Sequence, residues 1–269
     1  MKFQHASHLA AFALAPIFAL ALTGCQQRHA GSAPSAAHDT AHAKAHWGYA
    51  GEVGPANWST LSPEYALCAS GACQSPIDIV RPEPRDLDNP VFDYRASAIS
   101  IINNGHTIQV NYDAGSNVTV DGTRFELVQF HFHAPSEHRV NGKPYPAELH
   151  LVHKSTDGML AVVGLLITPG RENAALAPVF SQLPATAGPA SKAAGTVNAA
   201  DILPAAHTSF RYGGSLTTPP CSERVSWTVL STPIEMSPAQ IQAFTSLYSG
   251  NNRPVQPLNN RAVVEDISK

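Results

Sequence analysis

Three histidines combine residue type and spacing in a way that can assemble a metal site: His131, His133 and His150. In Gln129-Phe130-His131-Phe132-His133 polar and apolar residues alternate, the period of a half-buried strand. Successive strand residues point to opposite faces, so Gln129, His131 and His133 share one face while Phe130 and Phe132 turn away. Glu148-Leu149-His150-Leu151-Val152-His153 repeats the pattern, with Glu148, His150 and Val152 on a common face. Antiparallel pairing of two such strands would bring the three imidazoles to one point. Three protein ligands leave a coordination position open, which is the arrangement of catalytic zinc; structural sites are closed by four. Imidazole also suits copper, nickel and iron, so donor type alone leaves the metal open. Metal-bound imidazoles pass their second N–H to an acceptor, and Gln129 and Glu148 lie two residues from a ligand on the same faces, where such acceptors can sit. His138 and His153 break this phase and read as structural.

A second metal pattern overlaps the first. His131-x-His133-x-x-x-Glu137 has the ligand spacing of cupins, in which Glu137 would be a ligand of iron or manganese. The second cupin motif expects Pro and Gly before its histidine. Tyr145 and Ala147 occupy those positions ahead of His150, so the cupin reading fails there.

The segments that must position these residues are short and strand-like: residues 98–102, 106–112, 117–120, 124–132, 147–153, 159–167 and 224–230. They are rich in Val, Ile, Phe and Thr and bounded by Gly, Asn, Asp or Pro. Asn104-Gly105, Asp121-Gly122 and Asn141-Gly142 are turn signals. Two stretches read as helical, residues 173–182 and 237–248, the latter opening on Ser237 as N-cap and Pro238 as first helical residue. The pattern predicts a mainly β (α+β) fold, one domain with peripheral short helices.

The chain has 269 residues, 43% of them apolar, which suffices for a sizeable core. A net charge of −3 with both signs interspersed provides no basic stripe, so nucleic acid is not an expected partner. Lys2 and the apolar run over residues 9–22 read as a secretory signal, the run being too short to span a bilayer. It ends in Leu22-Thr23-Gly24-Cys25, which resembles a bacterial lipobox. That implies cleavage before Cys25, acylation of its thiol, and membrane contact only through the lipid anchor. Ordinary cleavage near Gly24 would instead leave Cys25 free. Residues 26–45 are Ala-, Ser- and His-rich and read as a flexible linker in which His29, His38 and His42 are solvated. The organisation is therefore a signal segment over 1–25, a linker over 26–45 and a folded domain over 46–269, exported to the periplasm or cell envelope. Disulfides persist there. With Cys25 set aside, Cys68, Cys73 and Cys221 allow three pairings and leave one thiol over.

Taken in order, several segments resemble the α-class carbonic anhydrases. They are His46-Trp47-Gly48-Tyr49, Gln74-Ser75-Pro76-Ile77, Asn104-Gly105-His106, the two histidine strands, Ser136-Glu137-His138, Ser215-Leu216-Thr217-Thr218-Pro219-Pro220 and Asn252-Arg253-Pro254-Val255-Gln256-Pro257. The resemblance implies a large twisted, mostly antiparallel central sheet. It implies Zn²⁺ on His131, His133 and His150, with zinc-bound hydroxide attacking carbon dioxide to give bicarbonate. Glu137 then becomes the hydrogen-bond acceptor that orients the Thr217 hydroxyl, and Thr218 a contact for substrate or inhibitor. Val152, Val162, Leu216, Val225 and Trp227 correspond to the apolar wall for carbon dioxide. His106 corresponds to the proton shuttle, and Tyr49, Asn104 and Gln109 to the residues that order water beside it. The resemblance further implies a Cys68–Cys221 bridge with Cys73 as the odd thiol, inhibition by sulfonamides and anions, and a homodimer as in many bacterial members. Two departures are Ala134, where many animal members carry Trp and bacterial members usually a smaller residue, and Gln109, which replaces an Asn common in animal members. Competing functions are a catalytically silent binding protein on the same fold and a zinc esterase. Silent members typically lose a zinc histidine, whereas all three stand here, with Glu137 and Thr217.

Overall fold

The strand-like segments pair into one twelve-stranded sheet. The computed structural model describes residues 45–268; the expected signal segment, Cys25 and residues 26–44 lie outside them. Along the sheet the strands run Ser191–Val197, Ser97–Asn103, Ile108–Asn111, Thr123–His133, Ala147–Lys154, Leu160–Pro169, Glu223–Met236, Ser209–Ser215, Val264–Asp266 and Glu83–Arg85. Two further strands, Val91–Asp93 and Asn117–Val120, pair with each other, and the second also with Thr123–His133. Most pairings are antiparallel, as expected. Leu160–Pro169 with Glu223–Met236, and Val264–Asp266 with Glu83–Arg85, are parallel and make the sheet mixed. Two of the turn signals close hairpins with positive φ at both central residues, Asp121 (48°) with Gly122 (75°) and Asn141 (51°) with Gly142 (79°).

Alternation divides the sheet into two faces. Phe130, Phe132, Leu149, Leu151, Val163 and Leu165 point into the main apolar core, which Leu176, Val179 and Phe244 cover from two short helices, Ala177–Phe180 and Pro238–Thr245. Val162, Val225 and Trp227 point the other way, into a second apolar cluster beside the histidines. The helix at Pro238 has the expected cap: Ser237 Oγ accepts from Gln240 N at 3.2 Å, and Ser237 N donates back to Gln240 Oε1 at 3.1 Å. Over residues 173–182 only Ala177–Phe180 is α-helical; Pro178, in its first turn, has no N–H to carry the helix back toward Asn173. Strand Ser191–Val197 is rich in Ala, Gly and Ser and carries no strand signal, whereas Ser209–Ser215 opens on the alternating aromatics Phe210 and Tyr212 before Gly213-Gly214.

Cys68 and Cys221 form a disulfide. No described cysteine is free, Cys73 included, which corrects the expectation of an odd thiol. The bridge joins the helical segment Leu67–Ser70 to the end of the loop carrying Thr217 and Thr218. Arg253 is 1% exposed and ties the same region together. It donates to Gln74 Oε1, to the Ser75 and Cys68 carbonyls (each 2.8 Å), and lies over the Trp58 ring.

Candidate metal centre

Antiparallel register sets His150 opposite His131 and Glu148 opposite His133, while Gln109 faces His131 from the other side. The result is a cluster in which one ring nitrogen each from His131, His133 and His150 lie within 4.8 Å of one another. The second nitrogen of every ring is engaged. His131 Nδ1 donates to Gln129 Oε1 at 2.9 Å, His133 Nδ1 to the main-chain carbonyl of Asn251 at 2.7 Å, and His150 Nε2 to Glu148 Oε1 at 3.0 Å. These bonds fix the tautomers, leaving Nε2 of His131 and His133 and Nδ1 of His150 as lone pairs. His133 Nε2 is buried with no hydrogen-bond partner at all. Burial holds all three imidazoles below their ordinary pKa, His133 at about 4, so the lone pairs are free at neutral pH. The donor set, three neutral imidazoles with one unpaired buried nitrogen between them, fits a Zn²⁺ ion.

Glu148 anchors this arrangement. Its Oε1 accepts from both His150 and His138 Nδ1 (2.7 Å), and its Oε2 from the main-chain N–H groups of Glu137 and His138 (2.9 and 2.8 Å). Burial alone would raise its pKa, but His138 and His150 prevail and hold the carboxyl well below the usual carboxylate range. With its Nδ1 proton on Glu148, His138 takes the Tyr212 hydroxyl at Nε2 (2.6 Å), and Tyr212 continues to Ser75 Oγ at 3.0 Å. Gly164, opposite His150, gives Glu148 its room, because a Cβ there would meet Glu148 Oε1 at 3.0 Å.

Glu137 follows the strand end. Its Oε2 lies 3.6 Å from His133 Nε2 and 3.9 Å from His150 Nδ1, and its Oε1 accepts from Arg253 N at 2.8 Å. Burial raises its pKa to about 7 against the opposing pull of His150, the Arg253 N–H and the Thr217 side chain. Thr217 and Thr218 sit in a loop closed by Leu216 N–H to Ser222 O (2.9 Å) and Cys221 N–H to Thr218 O (2.8 Å). Val162, Val225 and Trp227 are buried in the second apolar cluster, and the half-buried Val152 and Leu216 pack on it.

His106 stands apart from the cluster in the turn after Asn104-Gly105. Its ring stacks on Trp47, centroids 3.7 Å apart and planes 4° from parallel. Burial, and the neighbouring His46, lower its pKa. Asn104 Oδ1 accepts from His106 N at 2.9 Å, and Asn104 Nδ2 donates to Gln109 Oε1 at 3.4 Å. Tyr49 packs edge-on to Trp47, and its pKa is raised by burial and by Glu137.

The family model for eukaryotic-type carbonic anhydrase matches residues 53–267. This chain belongs to the α-carbonic anhydrase family. A carbonic anhydrase of Nostoc is 48% identical over 227 residues, covering 82% of this chain and 86% of its own. Among solved structures, an α-carbonic anhydrase of Thermovibrio ammonificans in complex with the inhibitor sulfanilamide is 46% identical. It has a TM-score of 0.80 and covers 82% of this chain and all of its own (100%). One from Chlamydomonas reinhardtii in complex with acetazolamide is 36% identical, with a TM-score of 0.73 and coverage of 83% and 100%. The protein is a carbonic anhydrase enzyme, and the family's reaction is carbon dioxide hydration.

Proposed function

We propose that the protein hydrates carbon dioxide reversibly, to bicarbonate and a proton, with one Zn²⁺ held by His131, His133 and His150. The observation that carries this reading is the buried, unpartnered Nε2 of His133 among donor atoms of two further imidazoles. Bound there, Zn²⁺ supplies Lewis acidity, lowering the pKa of a coordinated water to about 7 against about 9 for the aqueous ion, magnitudes established on carbonic anhydrase itself.

The remaining tasks fall to the chain. Gln129, the Asn251 carbonyl and Glu148 hold the three ligands in the tautomers described above. Glu137 accepts the hydrogen bond of the Thr217 hydroxyl, so Thr217 presents only lone pairs to the attacking water and fixes its orientation. Val152, Val162, Leu216, Val225 and Trp227 offer a surface without charge, suited to a substrate with no net dipole. Thr218 contacts substrate at the rim of that surface. His106 takes the released proton to buffer, since an imidazole titrates close enough to neutrality to exchange in both directions. Tyr49, Asn104 and Gln109 order the water between the centre and His106. Sulfonamides are the expected inhibitors, by analogy with the two relatives above, and small anions are expected to compete for the same open metal position. Residues 1–25 direct export to the cell envelope, where an acylated Cys25 anchors the domain through residues 26–45.

The test is kcat/KM for carbon dioxide beside kcat/KM for an activated ester, before and after chelation. Hydration should exceed ester hydrolysis by orders of magnitude, and both should vanish with the metal. Ester hydrolysis as the faster reaction would assign the site to an esterase.

A further inference from the structure

One buried amide spans the metal centre and the His106 turn. Asn251 is 3% exposed and follows Gly250, whose φ of 78° turns the chain back onto the end of strand Thr123–His133. Gly250 N donates there to Ala134 O at 2.7 Å. The Asn251 side chain then uses both donors and its acceptor. Nδ2 donates to Phe132 O at 3.0 Å and to His106 O at 3.1 Å, and Oδ1 accepts from Ala134 N at 2.9 Å. Two carbonyls opposite Nδ2 and an N–H opposite Oδ1 permit only this amide orientation. Phe132 and Ala134 flank His133, which itself bonds the Asn251 carbonyl.

The rest of the His106 turn is held by its own bonds, by Trp47 and by Thr107. Asn104 Oδ1 accepts from His106 N and Thr107 N (2.9 Å each), both within the turn. The His106 ring rests on Trp47, and Thr107 Oγ1 donates to Phe132 O at 2.5 Å, so the next residue stays docked whatever becomes of Asn251. Gly105, at φ 86°, precedes the histidine with its N–H on Asn103 Oδ1 at 3.1 Å, a bond that does not reach the His106 main chain. The bond from Asn251 Nδ2 to the His106 carbonyl is therefore the contact that ties the relay residue's own main chain to the strand bearing the metal ligands.

We propose that Asn251 is a positioning residue for proton export, its amide holding the His106 main chain at a fixed offset from His133. This rests on the proposed function, in which His106 is the relay. Asn251→Ala removes the shared donor and the acceptor of Ala134 N, and leaves the His133 acceptor, a main-chain carbonyl, in place. The turn then stays docked through Thr107, but the imidazole samples positions from which the proton does not reach buffer.

The experiment is a four-member cycle on the metal-loaded full chain: parent, His106→Ala, Asn251→Ala and the double variant. Carbon dioxide hydration is followed by stopped flow in weak buffer, with and without added imidazole, and metal content is measured for each protein. Asn251→Ala should lower kcat roughly three- to tenfold in weak buffer, the worth of one buried hydrogen bond, with kcat/KM changed less than about twofold. Imidazole should restore kcat, the double variant should be no slower than His106→Ala, and metal should remain at one ion per chain. An unchanged kcat in Asn251→Ala would overturn the inference. So would a loss carried in full into the His106→Ala background, or a parallel fall of kcat/KM and metal content, which marks a prop for His133 alone. Should His106→Ala itself leave kcat unchanged, the relay reading fails first and the inference with it. Asn251→Ser, judged by the same criteria, replaces an alanine variant that does not fold.

Discussion

Glu148→Gln changes one oxygen for an NH₂ group at the point where four donors converge. Each carboxylate oxygen accepts two N–H groups, one pair from imidazoles and one from the main chain. An amide oxygen can serve one pair, so two donors must face the NH₂ group, at about 1–3 kcal/mol each, or about 2–6 kcal/mol together. In the metal-free protein much of this is relieved. The amide turns its NH₂ toward the rings, His150 accepts at Nε2 and moves its proton to Nδ1, and His138 makes the corresponding shift toward Tyr212. That tautomer of His150 has no lone pair to give a metal. The cost therefore falls on the metal-bound state, where the NH₂ group must face the Glu137 and His138 main chain instead. We expect metal affinity to drop about 100-fold or more, at or beyond the upper end for partners of metal ligands. Metal-free stability should change by less than about 2 kcal/mol. Competition against a chromophoric chelator measures the first and urea unfolding the second. A metal Kd within threefold of the parent would refute the tautomer reasoning.

Three further outcomes follow from other parts of the molecule. Removing the disulfide with Cys68→Ala and Cys221→Ala opens a bridge of sequence separation 153, worth about 5 kcal/mol on the chain-entropy model, so the midpoint of urea unfolding should fall steeply; an unshifted midpoint contradicts this. His153 is buried with its pKa lowered to about 3 and its Nε2 on the Tyr94 hydroxyl at 2.7 Å. Because its folded value lies below the ordinary 6.5, the unfolded chain binds the extra proton, and the contribution present above about pH 6.5 is lost as pH falls toward 3. His153→Phe should flatten the acid limb of unfolding free energy by up to about 1.4 kcal/mol per pH unit, and an unaltered slope counts against the assignment. Cys25→Ser should release the protein from the membrane fraction, whereas continued partitioning removes the proposed anchor.

Much of the centre was legible because strand alternation is rigid. A period of two fixes which residues share a face, so Gln129, His131, His133, Glu148 and His150 could be grouped before any strand was seen to pair. The partner of His133 was not legible: it is a main-chain carbonyl 118 residues away, and carbonyls leave no mark on sequence. His138 read as structural because it lies beyond the strand, out of phase; only the fold brings it onto Glu148. Gly164 is a readable signal, since a glycine inside Val162-Val163-Gly164-Leu165-Leu166 marks a close approach, here by Glu148. The strand over residues 191–197 is hidden because its pairing comes from its neighbour and not from side-chain propensity; over 209–215 the alternating Phe210 and Tyr212 are a short signal cut off by Gly213-Gly214.

The most direct measurement combines metal content with the rate of carbon dioxide hydration, on the metal-loaded protein and on His131→Ala. The parent should hold one zinc per chain and hydrate carbon dioxide rapidly, with both properties lost together in the variant. Hydration that survives in His131→Ala without bound zinc would contradict a three-histidine centre.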